Sequence, residues 1–424
     1  MDMETKKTNH ITTIKTTKFR TTLIKVAFTA PLMRETVTAR NLLADVLANS
    51  SQNFASKKAL SAHLEDLYGA SLSVTTKKQG QTHAISFYLQ VVNEKFLKSA
   101  QPLFTDALQV LGEVIMNPKI NNHSFDAEIV TLEKRLLKEE IESVYDDKTT
   151  YALRQLQQKM CATERFATIG DGYAEDLASI TPQTLVTTYE NMISKDAVII
   201  TIIGDVEHDE VVRMVTDNFD LNTNMRNELA IVDLEEKTIE TVAEFTEQQL
   251  INQAKLNIGY RINTRITEAD YFATLIFNGV FGGHASSKLF TNVREKESLC
   301  YYVGSQIDSF KGLMYVYSGL DLTQIPKALT IIEAQLTDIQ NGNVTAQELQ
   351  LAKNHYINAK RSALDSASGM LADLETSLLL DLTTEEFIDN LQNVTLAEVQ
   401  LVANKIKKDT IFILEPMTKA EVND

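Results

Sequence analysis

The 424-residue chain has no tryptophan and only 2 cysteines, 6 prolines and 15 glycines. So little glycine and proline excludes a linker-rich or low-complexity chain. Cys161 and Cys300 stand far apart and outside any C-x-x-C. That excludes a disulfide framework and points to a reducing compartment. Long apolar runs are missing too. The longest, near Ala197–Ile203, is interrupted by Thr201 and is too short to span a membrane. The polar N-terminus has no apolar signal core, so the expected location is cytoplasmic. Histidine is scarce and scattered: His10, His63, His83, His123, His208, His284 and His355 include no two within ten residues of each other. There is therefore no H-x-x-E-H, no reversed form of it and no local zinc pair. The phosphate loop G-x-x-x-x-G-K-[ST] and the nucleophile elbow G-x-S-x-G are absent as well. Basic residues are outnumbered, 41 Lys and Arg against 57 Asp and Glu, for a formal net charge of −16. Such a surface repels nucleic-acid phosphate and anionic lipid, so neither is an expected partner.

What the chain does have is an apolar content of 44% and a length too great for one ordinary core. The periodicity alternates between strand and helix. Leu23–Phe28 reads as a strand. Glu35–Asn49 and Lys57–Tyr68 read as helices, the second stopped by Gly69. Leu72–Thr76 and His83–Val92 read as strands around a polar turn, Lys77 to Gly80. Longer helical patterns cover Glu94–Met116 and Phe125–Tyr145. Thr181-Pro182 reads as an N-cap with proline in the first turn. Ala197–Ile203 reads as a buried strand.

The order then restarts. Ala254–Tyr260 matches the first strand, and a helix over Glu268–Val280 puts Leu275 and Ile276 where the first half has Leu42 and Leu43. Ile180-Thr181-x-x-x-Leu185 is answered by Val394-Thr395-x-x-x-Val399. Lys195-Asp196-Ala197-Val198-Ile199-Ile200 is answered by Lys408-Asp409-Thr410-Ile411-Phe412-Ile413. Two degenerate copies of one α/β unit explain these matches. The expected division is residues 1–225, an acidic connection over 226–250, and residues 251–424.

One segment carries candidate chemistry, the run from Phe281 to Tyr302. Gly282 and Gly283 allow close backbone approach. Ser286 and Ser287 can cap a following helix. Arg294 on that helix and Tyr301 opening the next strand are both donors that can meet a peptide carbonyl or carboxylate. An Arg–Glu pair that merely holds the helix is the structural alternative. The charge-dense helix from Glu133 to Glu140 reads as a solvated face, and His63 reads as the wet side of an amphipathic helix.

The run Gly282-Gly283-x-x-Ser286-Ser287-Lys288-Leu289-Phe290-x-x-Val293-Arg294-Glu295-Lys296-x-x-Leu299-x-Tyr301 resembles the C-terminal signature of the M16 metallopeptidases, the family of pitrilysin, insulysin and the mitochondrial processing peptidase. The resemblance implies an α+β fold of two homologous roll-like halves, each a mostly antiparallel sheet with helices packed on one face. It implies that Arg294, Tyr301, Gly282 and Gly283 belong to a substrate-binding half-site. Active members carry H-x-x-E-H on the first helix and a distal glutamate. That motif falls here on Leu42-Leu43-Ala44-Asp45-Val46, with both histidine positions aliphatic, Asp45 in the general-base position and Glu140 as the vestigial distal carboxylate. Zinc needs three protein ligands, so no metal, no cofactor and no catalytic residue are expected.

The reading that follows is a non-catalytic subunit that binds a peptide or small protein and pairs with a zinc-bearing M16 subunit. A stand-alone or homodimeric peptide-binding scaffold and a peptidase with an unrecognised site are the alternatives.

Overall fold

The computed structural model describes residues 4–98, 101–219, 231–233 and 236–417. They form two compact units. The first comprises Met1–Ser143, Thr168–Ile231 and Ser366–Leu371; the second comprises Val144–Ala167, Val232–Asp365 and Ala372–Asp424.

The first unit is built on six strands: β1 (Glu4–Thr8), β2 (Ile11–Lys15), β3 (Thr21–Pro31), β4 (Ser71–Gln79), β5 (Thr82–Val92) and β6 (Ala197–Gly204). Their order is β1-β2-β6-β3-β5-β4. Only β2 and β6 pair in parallel. Alternation along β3 sends Ile24, Val26 and Phe28 into one core. Helices α1 (Val37–Leu47), α2 (Lys57–Asp66), α3 (Leu103–Met116), α4 (Ala127–Ser143), α6 (Pro182–Lys195) and α7 (His208–Asn218) supply the rest of it. Between α4 and α6 in sequence, α5 (Lys148–Met160) belongs to the second unit. The expected helix Glu94–Met116 is broken. A single 3-10 turn covers Glu94–Phe96, and α3 starts only after Pro102, which has no N–H to donate and constrains the residue before it. Strand β4 runs on through Lys77 and Lys78, and Gly80 at φ +54° makes the turn.

The second unit repeats the plan. Its strands are β7 (Ala243–Gln249), β8 (Ala254–Arg261), β9 (Cys300–Asp308), β10 (Leu313–Leu320) and β11 (Lys407–Pro416), in the order β9-β10-β8-β11-β7. Apart from β1 this is the first sheet again, and β7 pairs in parallel with β11 as β2 does with β6. The core-side helices include α8 (Tyr271–Phe281), α9 (Ile325–Gln340) and α10 (Ala346–Ala363). The sequence matches at the ends have structural counterparts. Thr181 and Thr395 both close capping boxes. Asp196 and Asp409 both hold a buried arginine, Arg40 at 2.6 Å and Arg261 at 2.8 Å. Of the expected connection over 226–250, residues 226–230 and 234–235 lie outside the described residues, and Ala243–Gln249 forms β7.

The second sheet also has a covered reverse face. There α5 packs Ala152, Leu156 and Met160 against Leu313, Tyr315, Phe412 and Leu414. Gly259 gives it room: a Cβ there would lie 2.5 Å from the Met160 sulfur. The end of this segment is pinned by charge. Glu164 receives Arg261 at 2.6 Å and Lys311 at 2.6 Å, and Lys311 also reaches Asp233 at 2.5 Å, all of them buried. Burial pushes the Glu164 carboxyl up, but the hydrogen bonds from Arg261 and Lys311 outweigh it and leave its pKa below the usual value.

Candidate functional site

In the first unit the stretch Leu42–Val46 lies on α1. Leu42 is 0% and Val46 2% exposed; both are part of the core. Their hydrocarbon side chains have no lone pair to offer a metal. Asp45 alone of this stretch turns outward, into a cavity of about 300 Å³ bounded by α1, α2, α4 and the edge strand β4. The polar groups on its wall are Asp45, Asn49, Lys57, Ser61, Ser73 and Glu133. Glu133, expected on a solvated face, is 7% exposed. It accepts a 2.9 Å hydrogen bond from Asn49. Glu140 is exposed, one turn beyond the buried Leu137. Burial, then the charges of Glu133 and Glu140, push Asp45 up to about 7 against the opposing pull of Lys57. Burial raises Glu133 as well, with Asn49 and Lys57 opposing.

The repeat shows what this helix pair does when it has no cavity to keep. Counted from the helix starts, one position off the register read from sequence, Asp45 is the ninth residue of α1 and Gly279 the ninth of α8; Glu133 is the seventh of α4 and Ala352 the seventh of α10. In the second unit a Cβ on Gly279 would lie 2.9 Å from that of Ala352, so α8 and α10 close on each other. In the first unit two carboxylates stand at these places and line the cavity. Packing alone favours the glycine and alanine, because two like charges out of water are costly.

A zinc ion does not fit here. Asp45 and Glu133 are carboxylates, but Leu42 and Val46, where the resemblance expects the imidazole donors, are hydrocarbon, and zinc sites need three protein ligands. Among the described residues no group of three or more His, Cys, Asp or Glu could hold a metal.

The second unit carries the glycine–serine signature. Gly282 is buried; a Cβ on it would lie 2.5 Å from Ser305 Oγ, and one on Gly283 would lie 2.7 Å from Asn278 Nδ2. Both glycines therefore serve close packing behind the loop. Ser287 Oγ accepts from the Phe290 N–H at 3.4 Å. There follows a π-helix, Phe290–Lys296, a rare form that often marks functional segments. Arg294 is exposed on it, stacked over the Phe290 ring at 4.6 Å, and pairs with no carboxylate among the described residues. Burial pushes the Cys300 thiol up, with the Ser318 hydroxyl and then the Arg294 charge opposing. Ser298, at φ +51°, turns the chain into β9. The pairing of β9 with β10 slips between Cys300 and Tyr302, so Tyr301 is the extra residue of a bulge on an edge strand and is 80% exposed. Bulges re-aim side chains in this way. Arg294 and Tyr301 thus both project outward around the start of β9. Glu133, Asn49 and Lys57 were not picked out from sequence as a site. The only signal was the seven-residue spacing of Glu133 and Glu140, which does not say which of the two is buried.

Comparison with known proteins gives a consistent picture. The family model described as the peptidase M16 inactive domain matches residues 179–356. The probable inactive metalloprotease YmfF of Bacillus subtilis (strain 168) is 35% identical over 410 residues, 96% of this chain and 95% of that protein. The uncharacterized zinc protease YmxG of the same strain is 26% identical over 308 residues, covering 71% of this chain and 72% of YmxG. A crystal structure of a conserved protein from Enterococcus faecalis V583 superposes with a TM-score of 0.91 at 32% identity, covering 99% of this chain and 100% of that one. The M16 inactive domain from Pseudomonas fluorescens has the same fold at a TM-score of 0.79 and 17% identity, with 99% of each chain covered.

Proposed function

The chain belongs to the M16 peptidase family as one of its inactive homologues, and from this premise we propose that it is a metal-free subunit that binds peptide and pairs with a zinc-bearing relative. The observation that carries the reading is the cavity beside α1. Leu42 and Val46, which the resemblance sets at the histidine positions, are core, yet space and two carboxylates are present where the repeat closes up with Gly279 and Ala352. Retained space without metal ligands favours binding without hydrolysis.

The chemistry of the ligand follows from the groups on the wall. An extended peptide can add its backbone to the open edge of β4. One of its lysine or arginine side chains then enters the cavity and meets Asp45 and Glu133. On the second unit, Arg294 and Tyr301 offer hydrogen bonds to peptide carbonyls without regard to side chain. Pairing draws support from Bacillus subtilis, which carries both a similar probable inactive metalloprotease and a similar zinc protease.

The test is fluorescence anisotropy with labelled peptides of one length, basic or acidic. Basic peptides are expected to bind the wild-type chain and to lose affinity about tenfold or more in Asp45→Asn/Glu133→Gln, the scale of a lost charge-assisted hydrogen bond. Equal binding of basic and acidic peptides, or no effect of the double substitution, would refute this ligand chemistry.

A further inference from the structure

The loop that leads into the π-helix contains a device unconnected with the lost metal site. His284 and His355, one on the loop and one on α10, lie with ring centroids 5.0 Å apart and planes inclined by 27°. His284 Nδ1 accepts a 3.0 Å hydrogen bond from the Ser286 N–H. A ring nitrogen that accepts from an N–H carries no proton, so neutral His284 has its proton on Nε2. That nitrogen is enclosed and has no hydrogen-bond partner. His355 stands in turn against the Tyr356 ring at 5.2 Å, and the Tyr356 hydroxyl accepts from Asn278 at 3.0 Å. Asn278 Oδ1 receives Ser305 on β9, and Gly282 O receives the Ser305 N–H at 2.9 Å. The histidine pair therefore sits at one end of a polar chain from α10, through α8 and the double glycine, to β9, the strand that carries Tyr301.

We propose that the His284–His355 stack is an acid-sensitive latch: protonation of His284 releases residues 282–287 from α10 and loosens the segment that carries Arg294. A second proton can go only to Nδ1, where it faces the Ser286 N–H. The acceptor is lost, two donors confront each other, and the charge lies against a second imidazole. The titratable groups around His284 are His355 and Tyr356, both on α10; α8 and the loop present Asn278, Ser286 and Ser287, which do not titrate. Neither ring has an ion pair with a carboxylate among the described residues, so no fixed negative charge rewards protonation.

The sign follows from the direction of the shift. Burial, and then His355, hold the folded His284 pKa below its ordinary value of 6.5. The released loop takes up the proton near that value. The closed loop is therefore favoured in full above about pH 6.5, and below it the open form gains up to about tenfold per pH unit. The further consequence, weaker peptide binding in acid, rests on the reading of Arg294 as a peptide contact. The latch itself does not.

Hydrogen exchange of the untagged full-length chain at pH 7.5 and pH 5.5 tests it. His284→Asn is the decisive variant, because Asn Oδ1 can accept from the Ser286 N–H and cannot be protonated. At pH 5.5 the wild type is expected to exchange residues 282–290 about tenfold faster than His284→Asn, and at pH 7.5 to match it. His355→Phe keeps the ring stack and removes the second imidazole, and should lie between the two at pH 5.5. Equal exchange of wild type and His284→Asn at pH 5.5 would overturn the latch. So would faster exchange of His284→Asn at both pH values with His355→Phe behaving as wild type. Peptide affinity is read separately, so losing the peptide-binding reading leaves this result standing.

Discussion

At the scale of single residues, Asp45 separates binding from stability. Its folded pKa, about 7, lies above the unfolded value near 3.9. The folded state therefore holds the extra proton, and its stability falls as pH rises from about 4 to about 7. Asp45→Asn is expected to stabilise the chain by roughly 1–4 kcal/mol at pH 8 and by much less at pH 4.5. The same variant should bind basic peptide less well. A gain in denaturation midpoint alongside a loss of affinity is what a residue kept for function produces; a loss of both would make Asp45 structural. Arg294 should behave in the opposite way. It is exposed, and apart from its stacking on Phe290 no ion pair or hydrogen bond holds it among the described residues. Arg294→Ala should leave the melting temperature unchanged and weaken peptide use about tenfold to a hundredfold, the loss of a charge-assisted hydrogen bond of about 1.5–3 kcal/mol. A lowered melting temperature with unchanged peptide use would return Arg294 to a structural role. The aliphatic nature of Leu42 and Val46 was plain in the sequence. That Glu133 is the buried carboxylate was not, because a helix with alternating charges looks the same whichever turn faces inward.

At the scale of elements, the two copies of one helix pair give an internal control. Adding a methyl group at Gly279 forces a Cβ to within 2.9 Å of Ala352, and overpacking of this kind costs about 1–3 kcal/mol. In the first unit, Asp45→Ala removes a half-buried charge from the wall of an open cavity and forces no overlap. Gly279→Ala should therefore lower stability in urea titration, whereas Asp45→Ala should be neutral or stabilising. Equal losses would mean that the first cavity is only loose packing. Element positions were legible where a periodic pattern met a strong stop, as at Gly69 and Thr181. They were misjudged at Pro102, where the apolar spacing continued but the backbone could not. The π-helix and the bulge at Tyr301 left no pattern in the sequence, since both depend on register against neighbours distant in the chain.

At the scale of the whole chain, the duplication was legible because its end matches fall on capping and ion-pair positions. The membership of Val144–Ala167 in the second unit was not. It depends on the fit of Met160 over Gly259 and on Glu164 meeting Arg261 and Lys311, residues roughly a hundred or more positions away. Removing one charge from that buried network should be costly: Glu164→Gln is expected to destabilise the second unit by about 3 kcal/mol, measured by calorimetry, since Arg261 and Lys311 each lose one of their two carboxylates. The sign with pH is the reverse of that for Asp45. The folded Glu164 pKa is lowered, so its contribution is present above about pH 4.5 and is lost as pH falls further.

The central claim, a family member that binds without hydrolysing and works through a zinc-bearing relative, is tested most directly by one rate measurement. Hydrolysis of a basic fluorogenic peptide is followed with this chain alone, with a zinc-bearing M16 protein encoded in the same genome alone, and with the two mixed at equal concentration. The prediction is no hydrolysis by this chain, and a mixed rate well above that of the zinc-bearing protein, falling back when Arg294→Ala replaces the wild type. Zinc-dependent hydrolysis by this chain alone, or a mixed rate equal to that of the zinc-bearing protein, would contradict it.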